Sequence, residues 1–161
     1  MMYAIAAITE KTRALGKDNR MLYHLPKDLQ YFKDKTLHHS VVMGYRTYLS
    51  LPKRPLPERK NIVLCNTCAA PPEVLLLRSM EELLDYAHAH PEETLYICGG
   101  ASLYAQCMPY VEKLFLTMIE EDSPVEADCF FPEIDPAVWK QVSEEFVEDN
   151  KKIRFTVWER R

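Results

Sequence analysis

Residues 21–33 read Met-Leu-Tyr-His-Leu-Pro-Lys-Asp-Leu-Gln-Tyr-Phe-Lys, and the rest of the chain can be interpreted outward from this stretch. Pro26 favours the first turn of a helix. Leu25, Leu29 and Phe32 recur at positions i, i+4 and i+7, which places them in one apolar stripe along such a helix. The stretch therefore predicts a helix that begins at Pro26 and runs to about Leu37.

Asp28 lies in the first turn of this predicted helix, where the partial positive charge of the helix N-terminus favours a carboxylate. In the simpler interpretation, Asp28 only stabilises the end of the helix. In the other, Leu25, Leu29 and Phe32 surround the carboxylate, which then lines an apolar pocket. A carboxylate there is costly unless it meets a ligand that is cationic or donates hydrogen bonds. The helix by itself leaves both interpretations open.

The composition is that of a globular protein. The 161 residues fit one domain spanning residues 1–161, and the hydrophobic and charged fractions of 47% and 27% leave no segment biased towards disorder. The net charge is −4, with acidic and basic residues interleaved and no basic patch or basic amphipathic helix. We therefore expect neither a nucleic-acid nor a membrane partner. The N-terminus has no basic stretch followed by an apolar core, which favours a cytoplasmic location.

Cysteine spacing predicts free thiols and no metal site. The five cysteines, an odd number, are Cys65, Cys68, Cys98, Cys107 and Cys129. Without an export signal, such a set is expected to stay reduced. Cys65 and Cys68 form a single Cys-x-x-Cys pair that lacks the second pair or the histidines of a zinc site and the helix start of a redox centre.

Short apolar runs alternate with helical patterns along the chain. This order predicts an α/β domain with a mostly parallel sheet and an antiparallel hairpin at the C-terminal end. Residues 10–23 are expected to be a functional loop, and the stretch after residue 119 to be irregular. Strands are predicted at 2–9, 40–43, 61–64, 74–77, 94–98 and 114–119, with hairpin arms at 146 or 147 and at 153–158; further helices are predicted at 45–49, 79–90 and 101–108.

The four glycines lie at three places in this pattern. Gly16 is in the long loop, whereas Gly44 and the pair Gly99-Gly100 each follow a strand and precede a helix. Such junctions can turn backbone N–H groups towards a phosphate. Tight turns explain each glycine separately, and a bound dinucleotide explains them together. The third glycine of the usual dinucleotide fingerprint is absent, so this pattern leaves the choice open.

Over essentially its whole length the chain resembles the dihydrofolate reductase family, in its chromosomal bacterial type. The resemblance lies in the order and spacing of many short motifs. It implies a central, mainly parallel sheet of about eight strands with flanking helices. The motifs are Ile5-Ala6-Ala7, Leu15-Gly16, Asn19, Leu25-Pro26-Lys27-Asp28-Leu29, Phe32-Lys33, Val42-Met43-Gly44, Arg46-Thr47, Arg54-Pro55-Leu56-Pro57, Arg59-Lys60-Asn61, Gly99-Gly100, Tyr104, Leu116-Thr117 and Asp128-Cys129-Phe130-Phe131-Pro132.

The resemblance also implies a reaction: NADPH reduces 7,8-dihydrofolate to tetrahydrofolate, which supplies one-carbon metabolism. Asp28 would then bind the 2-amino group and N3–H of the pterin, with Thr117 supporting the carboxylate. Met21 would cover the nicotinamide, and Tyr23 would lie on the water path of the proton. Arg59 matches the arginine that pairs with the glutamyl α-carboxylate. The remaining substrate contacts implied are Ile5, Ala7, Leu29, Phe32, Lys33, Leu51, Arg54 and Cys98.

For NADPH, the resemblance implies that the two glycine junctions hold the diphosphate and that the Gly99-Gly100 peptide is cis. Tyr45 departs from the family pattern, because many members carry an arginine there for the 2′-phosphate. Arg78, Asn66 and Arg46 are candidates to replace it. The implied cofactor contacts are Ala7, Leu15, Gly16, Asn19, Gly44, Tyr45, Arg46, Thr47, Cys65, Asn66, Arg78, Cys98, Gly99, Gly100, Ala101, Ser102, Leu103 and Tyr104.

Three further departures fall in the loops. Leu22 and Tyr23 replace a proline and a tryptophan, and Ala127 replaces a frequent glycine. The family usually is monomeric, which we also expect here. Two alternatives remain at this point: a pyrimidine reductase of riboflavin synthesis, which should lack the Asp28 motif and Arg59, and a pteridine- or nucleotide-binding module without turnover.

Overall fold

The structure is a computed structural model that describes residues 1–69, 71 and 73–161. Its strands are β1 (Met2–Thr9), β2 (Ala14–Lys17), β3 (Arg20–Met21), β4 (Ser40–Gly44), β5 (Lys60–Leu64), β6 (Leu75–Leu77), β7 (Leu95–Ile97), β8 (Lys113–Ile119), β9 (Cys129–Phe130), β10 (Trp139–Glu148) and β11 (Lys152–Arg160). Its helices are α1 (Pro26–Thr36), α2 (Tyr45–Ser50), α3 (Met80–Ala89) and α4 (Ala101–Cys107).

Eight strands form one central sheet in the order β10-β11-β8-β1-β7-β4-β5-β6. β1 pairs in parallel with both β7 and β8, while β11 pairs antiparallel with β8 and β10. The predicted α/β class, with a mostly parallel sheet of about eight strands and a C-terminal hairpin, is therefore confirmed.

Alternate residues of the central strands pack on opposite faces of this sheet, as the pleat requires. Val42 and Ile62 belong to a core cluster that includes Leu83 of α3 and Leu103 of α4. Val41 and Val63 belong to the cluster on the other face, against which Phe32 of α1 packs. Because both faces are covered, the central strands appear in the sequence as continuous apolar runs.

A second, three-stranded sheet joins β3, β2 and β9, and the sequence patterns did not predict it. Residues 10–23 were expected to be a loop, yet they contain β2 and β3. β9 lies in the stretch expected to be irregular. β10 begins at Trp139, well before residue 146. Most side chains of β3, β9 and β10 are exposed or half-buried, and β2 has only four residues, so these strands show no alternating hydrophobic pattern in the sequence.

The expectation of five free thiols was wrong. Cys65 and Cys68 form a disulfide, with a Cα–Cα distance of 5.8 Å, whereas Cys98, Cys107 and Cys129 are free. β5 ends at Leu64, and the bend at residues 66 and 67 turns the chain back so that the two side chains meet. The absence of an export signal says nothing about this local geometry.

Two smaller points concern the helices. Ser79 caps α3, because the Glu82 N–H donates to Ser79 Oγ at 3.1 Å, and the Glu82 carboxylate accepts from the Arg78 N–H. No helix in the described part of the chain has the length and apolar character needed to cross a membrane.

Candidate functional site

Asp28 is buried at the start of α1, with only 6% of its surface exposed. Thr117 of β8 donates a hydrogen bond from Oγ1 to Asp28 Oδ1 at 2.6 Å. Among the described residues, this is the one protein hydrogen bond to the carboxylate, and no buried side-chain oxygen or nitrogen is left without a partner. Oδ2 therefore remains reachable from solvent. This placement favours the pocket interpretation of Asp28 over the helix-end interpretation.

The N-terminus of α1 is capped by the turn of the C-terminal hairpin. Asp149 Oδ2 accepts from the Lys27 N–H at 2.8 Å, and Asn150 Nδ2 donates to the His24 carbonyl at 2.7 Å. The Lys27 ammonium also donates to the Glu148 carbonyl at 2.6 Å. Since Asp149 fills the capping role, the Asp28 side chain is free to face the pocket.

The environment of Asp28 favours its neutral form. Burial raises the pKa of the Asp28 carboxyl, the Thr117 hydrogen bond opposes that rise, and the nearby Asp149 charge adds to it. Burial and the Asp28 charge also raise the pKa of Tyr31 to about 12, and the Tyr31 ring stacks on Phe155 at 4.0 Å between centroids. The carboxylate thus lies beside aromatic surface with one protein donor to hold its charge.

Several residues predicted to line the substrate pocket do converge. Ala7 of β1 lies beside Thr117 in the sheet register. Tyr23 and Ala7 pack on the small cluster around Leu25. Four other predicted pocket residues belong to or pack on the core cluster that faces α1: Ile5, Phe32, Leu51 and Cys98. Leu29 is 43% exposed, and Lys33 and Arg54 are exposed.

Arg59 lies at the far end of α1 from Asp28. Its Nη1 donates to Thr36 Oγ1 at 3.1 Å, its Nε donates to the Pro57 carbonyl at 2.9 Å, and its guanidinium carbon lies 5.9 Å from the Phe32 ring centre. Burial lowers the pKa of Arg59. Asn61 fixes the preceding proline-rich loop, accepting from the Leu56 N–H and donating to the carbonyls of Leu56 and Arg59, all at 2.9 Å.

β2, β3 and the residues joining them, 14–21, form what we term the β2–β3 hairpin, which runs towards α2. The Asp18 N–H donates to Asp128 Oδ2 at 2.9 Å, and the Asp128 N–H donates to the Gly16 carbonyl at 3.1 Å. Asn19 Nδ2 donates to the Arg46 carbonyl at 3.1 Å. A Cβ on Gly16 would collide with the Arg20 carbonyl, so this position requires glycine. Leu15 packs against the core, and Met21 is 56% exposed.

The two glycine junctions lie side by side at the carboxyl ends of β4 and β7, which are neighbouring parallel strands. The Gly44 N–H donates to the Gly99 carbonyl at 2.9 Å. Gly99 has φ +114°, a backbone conformation that disfavours any side chain, and its peptide to Gly100 is cis, as the resemblance implied. Thr47 Oγ1 lies 3.5 Å from the Cβ position of Gly100.

Beyond the junctions, the two helices differ in how they present the predicted cofactor residues. Leu103 and Tyr104 of α4 are buried, and the Tyr104 hydroxyl donates to the Ile5 carbonyl at 2.7 Å. Ala101 and Ser102, at the start of α4, are more accessible. On α2, Arg46 is exposed, whereas Tyr45 packs against the core.

Arg78 and Asn66, two predicted cofactor residues, are direct neighbours. The Arg78 Nη1 donates to the carbonyls of Asn66 and Cys68, both at 3.3 Å. These carbonyls belong to the short loop closed by the Cys65–Cys68 disulfide. Arg78 is itself exposed, so its guanidinium is available at the surface of this loop.

Four residues with supporting positions were missed by sequence reasoning. Asp149 caps α1, Thr36 accepts from Arg59, Asn61 holds the proline-rich loop, and Glu121 is buried at the end of β8. A lone polar residue at the start of an apolar strand was a signal for Asn61. Glu121 carried no such signal, because it lies between two other acidic residues, Glu120 and Asp122.

The family model described as dihydrofolate reductase matches residues 1–160. The dihydrofolate reductase of Bacillus subtilis is 42% identical over 139 residues, which cover 84% of this chain and 79% of that protein. The enzyme of the same name from Neisseria gonorrhoeae is 43% identical over 140 residues, covering 85% and 82%. Among solved structures, dihydrofolate reductase from Enterococcus faecalis, complexed with NADP(H) and RAB-propyl, has a TM-score of 0.90 and 36% identity over 99% of this chain and 96% of that one.

Proposed function

The chain belongs to the dihydrofolate reductase family of NADP-dependent oxidoreductases, and on that premise we propose that it uses NADPH to reduce 7,8-dihydrofolate to 5,6,7,8-tetrahydrofolate. The predicted family, enzyme class and NADPH cofactor are confirmed by these matches. The observation that carries the proposed reaction is the buried Asp28 carboxylate with its single protein donor, Thr117.

Asp28 is proposed to anchor the pterin ring. The 2-amino group and N3–H of the pterin are two parallel donors, which match the two oxygens of one carboxylate. A ligand of this kind supplies the hydrogen bonds that the pocket itself does not provide to Oδ2. Thr117 would keep the carboxylate oriented, and Tyr23, on the cluster beside Ala7, would border the path by which water delivers a proton.

The cofactor is proposed to lie across the two glycine junctions, because they are adjacent and the backbone conformation at Gly99 disfavours any side chain. When bound, NADPH supplies the hydride. The chain contributes a dry pocket and a fixed orientation, so it needs no nucleophile of its own. Gly44, Thr47 and the start of α4 would hold the diphosphate. The β2–β3 hairpin would cover the nicotinamide, with Met21 facing it.

Arg59 is proposed to bind the glutamyl α-carboxylate of the substrate, with Lys33 and Arg54 at the exposed rim. Its contacts to Thr36 and Pro57 hold the guanidinium in place before substrate arrives. Arg59→Ala is expected to raise the KM for dihydrofolate by about tenfold or more, the loss of one charged hydrogen-bonded contact. The KM for a dihydropterin without the glutamate tail should stay unchanged. Equal effects on both substrates would exclude this role.

Selection of NADPH over NADH is proposed to rest on Arg78 rather than on Tyr45. Arg78 is exposed beside Asn66, and Tyr45 has no cation to offer a 2′-phosphate. Arg78→Ala is expected to lower the ratio of kcat/KM for NADPH to kcat/KM for NADH. The same ratio measured for Arg46→Ala shows how much the exposed arginine of α2 contributes. A ratio that Arg78→Ala leaves unchanged would contradict the assignment.

The function is tested by following NADPH absorbance after purified protein is mixed with dihydrofolate. Turnover that requires both compounds supports the proposal. If both ligands bind but NADPH is not consumed, the chain is a binding module and the proposed reaction is rejected. A reaction with a riboflavin-pathway pyrimidine and none with dihydrofolate would favour the related reductase instead.

We also propose that residues 1–161 act as one domain and that the protein works as a monomer in the cytoplasm. Strands from both ends of the chain pair within the central sheet, which supports a single unit. Sedimentation of the purified protein at working concentration tests the oligomeric state, and a dimer mass would reject it.

A further inference from the structure

Glu121 is the second buried carboxylate of the molecule. It lies two residues beyond the end of β8 and is 2% exposed. Its Oε1 accepts hydrogen bonds from the N–H groups of Lys11 and Thr12, both at 3.0 Å. Its Oε2 accepts from Thr12 Oγ1 at 2.7 Å and from the Val125 N–H at 3.4 Å. None of the ion pairs in the described part of the chain involves Glu121, so neutral donors alone compensate its charge.

These donors belong to the segment from which β2 begins. Thr12 Oγ1 lies 3.0 Å from Thr9 Oγ1, and Thr9 Oγ1 accepts from the Ala14 N–H at 2.9 Å. The Phe131 N–H donates to the Arg13 carbonyl at 2.8 Å. Glu121 thus lies at the centre of a network that fixes residues 9–14 at the base of the β2–β3 hairpin.

The tip of the same hairpin is held differently. Its contacts, Asp18 to Asp128 and Asn19 to Arg46, all lie at exposed positions. Exposed hydrogen bonds exchange readily with water and open at low cost in free energy. The hydrogen bonds at the base are partly buried, and the one from Ala14 to Thr9 is fully buried, so they contribute more than the exposed contacts at the tip to fixing the position of the hairpin.

We propose that Glu121 is a positioning residue for the cofactor: by fixing residues 10–14, it sets the position of the β2–β3 hairpin over NADPH. This inference rests on the proposed function, which places Leu15, Gly16 and Asn19 against NADPH. Glu121 itself contacts neither substrate nor cofactor residues. Its effect should accordingly be seen in cofactor binding and not in the Asp28 pocket.

The test uses Glu121→Ala and Glu121→Gln, with Glu120→Ala as the matched control. The side chain of Glu120, one position earlier, makes no hydrogen bond within the described residues. Glutamine can keep an oxygen towards the N–H groups of Lys11 and Thr12, and its amide can donate to Thr12 Oγ1. If Glu121→Ala does not fold, Thr12→Val, which removes only the hydroxyl donor, takes its place.

We expect Glu121→Ala to raise the Kd for NADPH by about tenfold, which corresponds to about 1.4 kcal/mol. The Kd for folate without cofactor should stay within about twofold. Glutamine should restore most of the cofactor affinity, Glu120→Ala should match wild type, and Thr12→Val should raise the Kd for NADPH by a smaller factor than Glu121→Ala. Equal weakening of both ligands, or unchanged NADPH affinity, would overturn the proposal.

Hydrogen exchange separates this inference from the proposed function. Without any ligand, Glu121→Ala should speed exchange in residues 10–21 and leave α1 unchanged. If wild type fails to reduce dihydrofolate, the proposed function fails while this exchange result still tests the positioning role. Unchanged exchange in residues 10–21 would reject the positioning role even in an active enzyme.

Discussion

Asp28 and Glu121 are both buried carboxylates close to β8, since Asp28 accepts a hydrogen bond from Thr117 of that strand and Glu121 lies two residues beyond its end, yet their surroundings are opposite. Asp28 has one protein donor, whereas Glu121 has three close donors and a fourth at longer distance. Burial raises the pKa of Asp28. Burial also acts to raise the pKa of Glu121, but the hydrogen bonds from Thr12 and Lys11 outweigh it, and the pKa is lowered.

The difference teaches how to distinguish a structural acid from one that awaits a ligand. A carboxylate whose acceptor sites are filled by the protein stabilises the fold and gains nothing from an added donor. A carboxylate left with an open oxygen beside aromatic surface costs stability in the free protein and can recover that cost on binding. Burial alone would have grouped the two together.

The largest expected effect is on turnover, which should depend directly on Asp28. Asp28→Asn should lower the turnover of dihydrofolate by at least about a hundredfold, since a neutral amide offers one acceptor in place of two charged ones. Asp34→Asn is the matched control, because Asp34 is an exposed carboxylate on the same helix. Steady-state kinetics on folded variants measure both. Near-normal turnover of Asp28→Asn would remove Asp28 from the mechanism.

The next effect concerns stability, where Glu121 should dominate. Glu121→Ala is expected to lower the free energy of unfolding by about 2–4 kcal/mol, because it removes the acceptor of several partly buried hydrogen bonds at once. Glu120→Ala should change it by less than about 0.5 kcal/mol, as is usual for surface positions. Urea unfolding gives both values. If Glu121→Ala lowers the free energy of unfolding as little as Glu120→Ala, the hydrogen bonds to Glu121 do not stabilise the fold.

The smallest effect is a difference in pH dependence. The folded-state pKa of Asp28 is raised, so its contribution to stability is full below the unfolded value of about 3.9 and is lost as pH rises through the folded value. Asp28→Asn should therefore be more stable than wild type by about 1 kcal/mol at neutral pH, and this gain should shrink as the pH falls towards 4.

For Glu121 the sign is reversed. Its folded-state pKa is lowered, so its contribution is full above the unfolded value of about 4.3 and is lost as pH falls through the folded value. Glu121→Gln is expected to have a lower free energy of unfolding than wild type at neutral pH, and this difference should become smaller in acid. Urea midpoints of both variants from about pH 3 to about pH 8 measure the two trends. Parallel trends would contradict the assigned pKa directions.

The parts of the fold that could be predicted from sequence are those stabilised by burial of side chains. β1, β4 and β8 are buried on both faces, and Pro26 with its apolar stripe marked α1. β3 and β9 pair through backbone groups with little burial of side chains, and β2 has only four residues, so no pattern predicted these strands. Most side chains of β10 are also exposed, so the predicted arm began at residue 146 or 147 although the strand begins at Trp139.

The candidate site divides along similar lines. Asp28 could be singled out because apolar residues share its turn, and the glycines because they recur in the long loop and at the two strand-to-helix junctions. Three features of the site depend on contacts between residues more than 80 positions apart in the sequence. They are the hydrogen bond from Thr117 to Asp28, the capping of α1 by Asp149 instead of Asp28, and the hydrogen bonding of Glu121. The Cys65–Cys68 disulfide depends on a local bend that the spacing of the cysteines does not reveal.

The cap on α1 has a consequence for biosynthesis. Asp149 and Asn150, which hold the start of that helix, and β11, which pairs with β8, are translated after every other strand of the central sheet. A nascent chain that has emerged only as far as β9 lacks both the cap and β11, one of the two strands that pair with β8. The ligand pocket should therefore mature only after β11 has emerged from the ribosome.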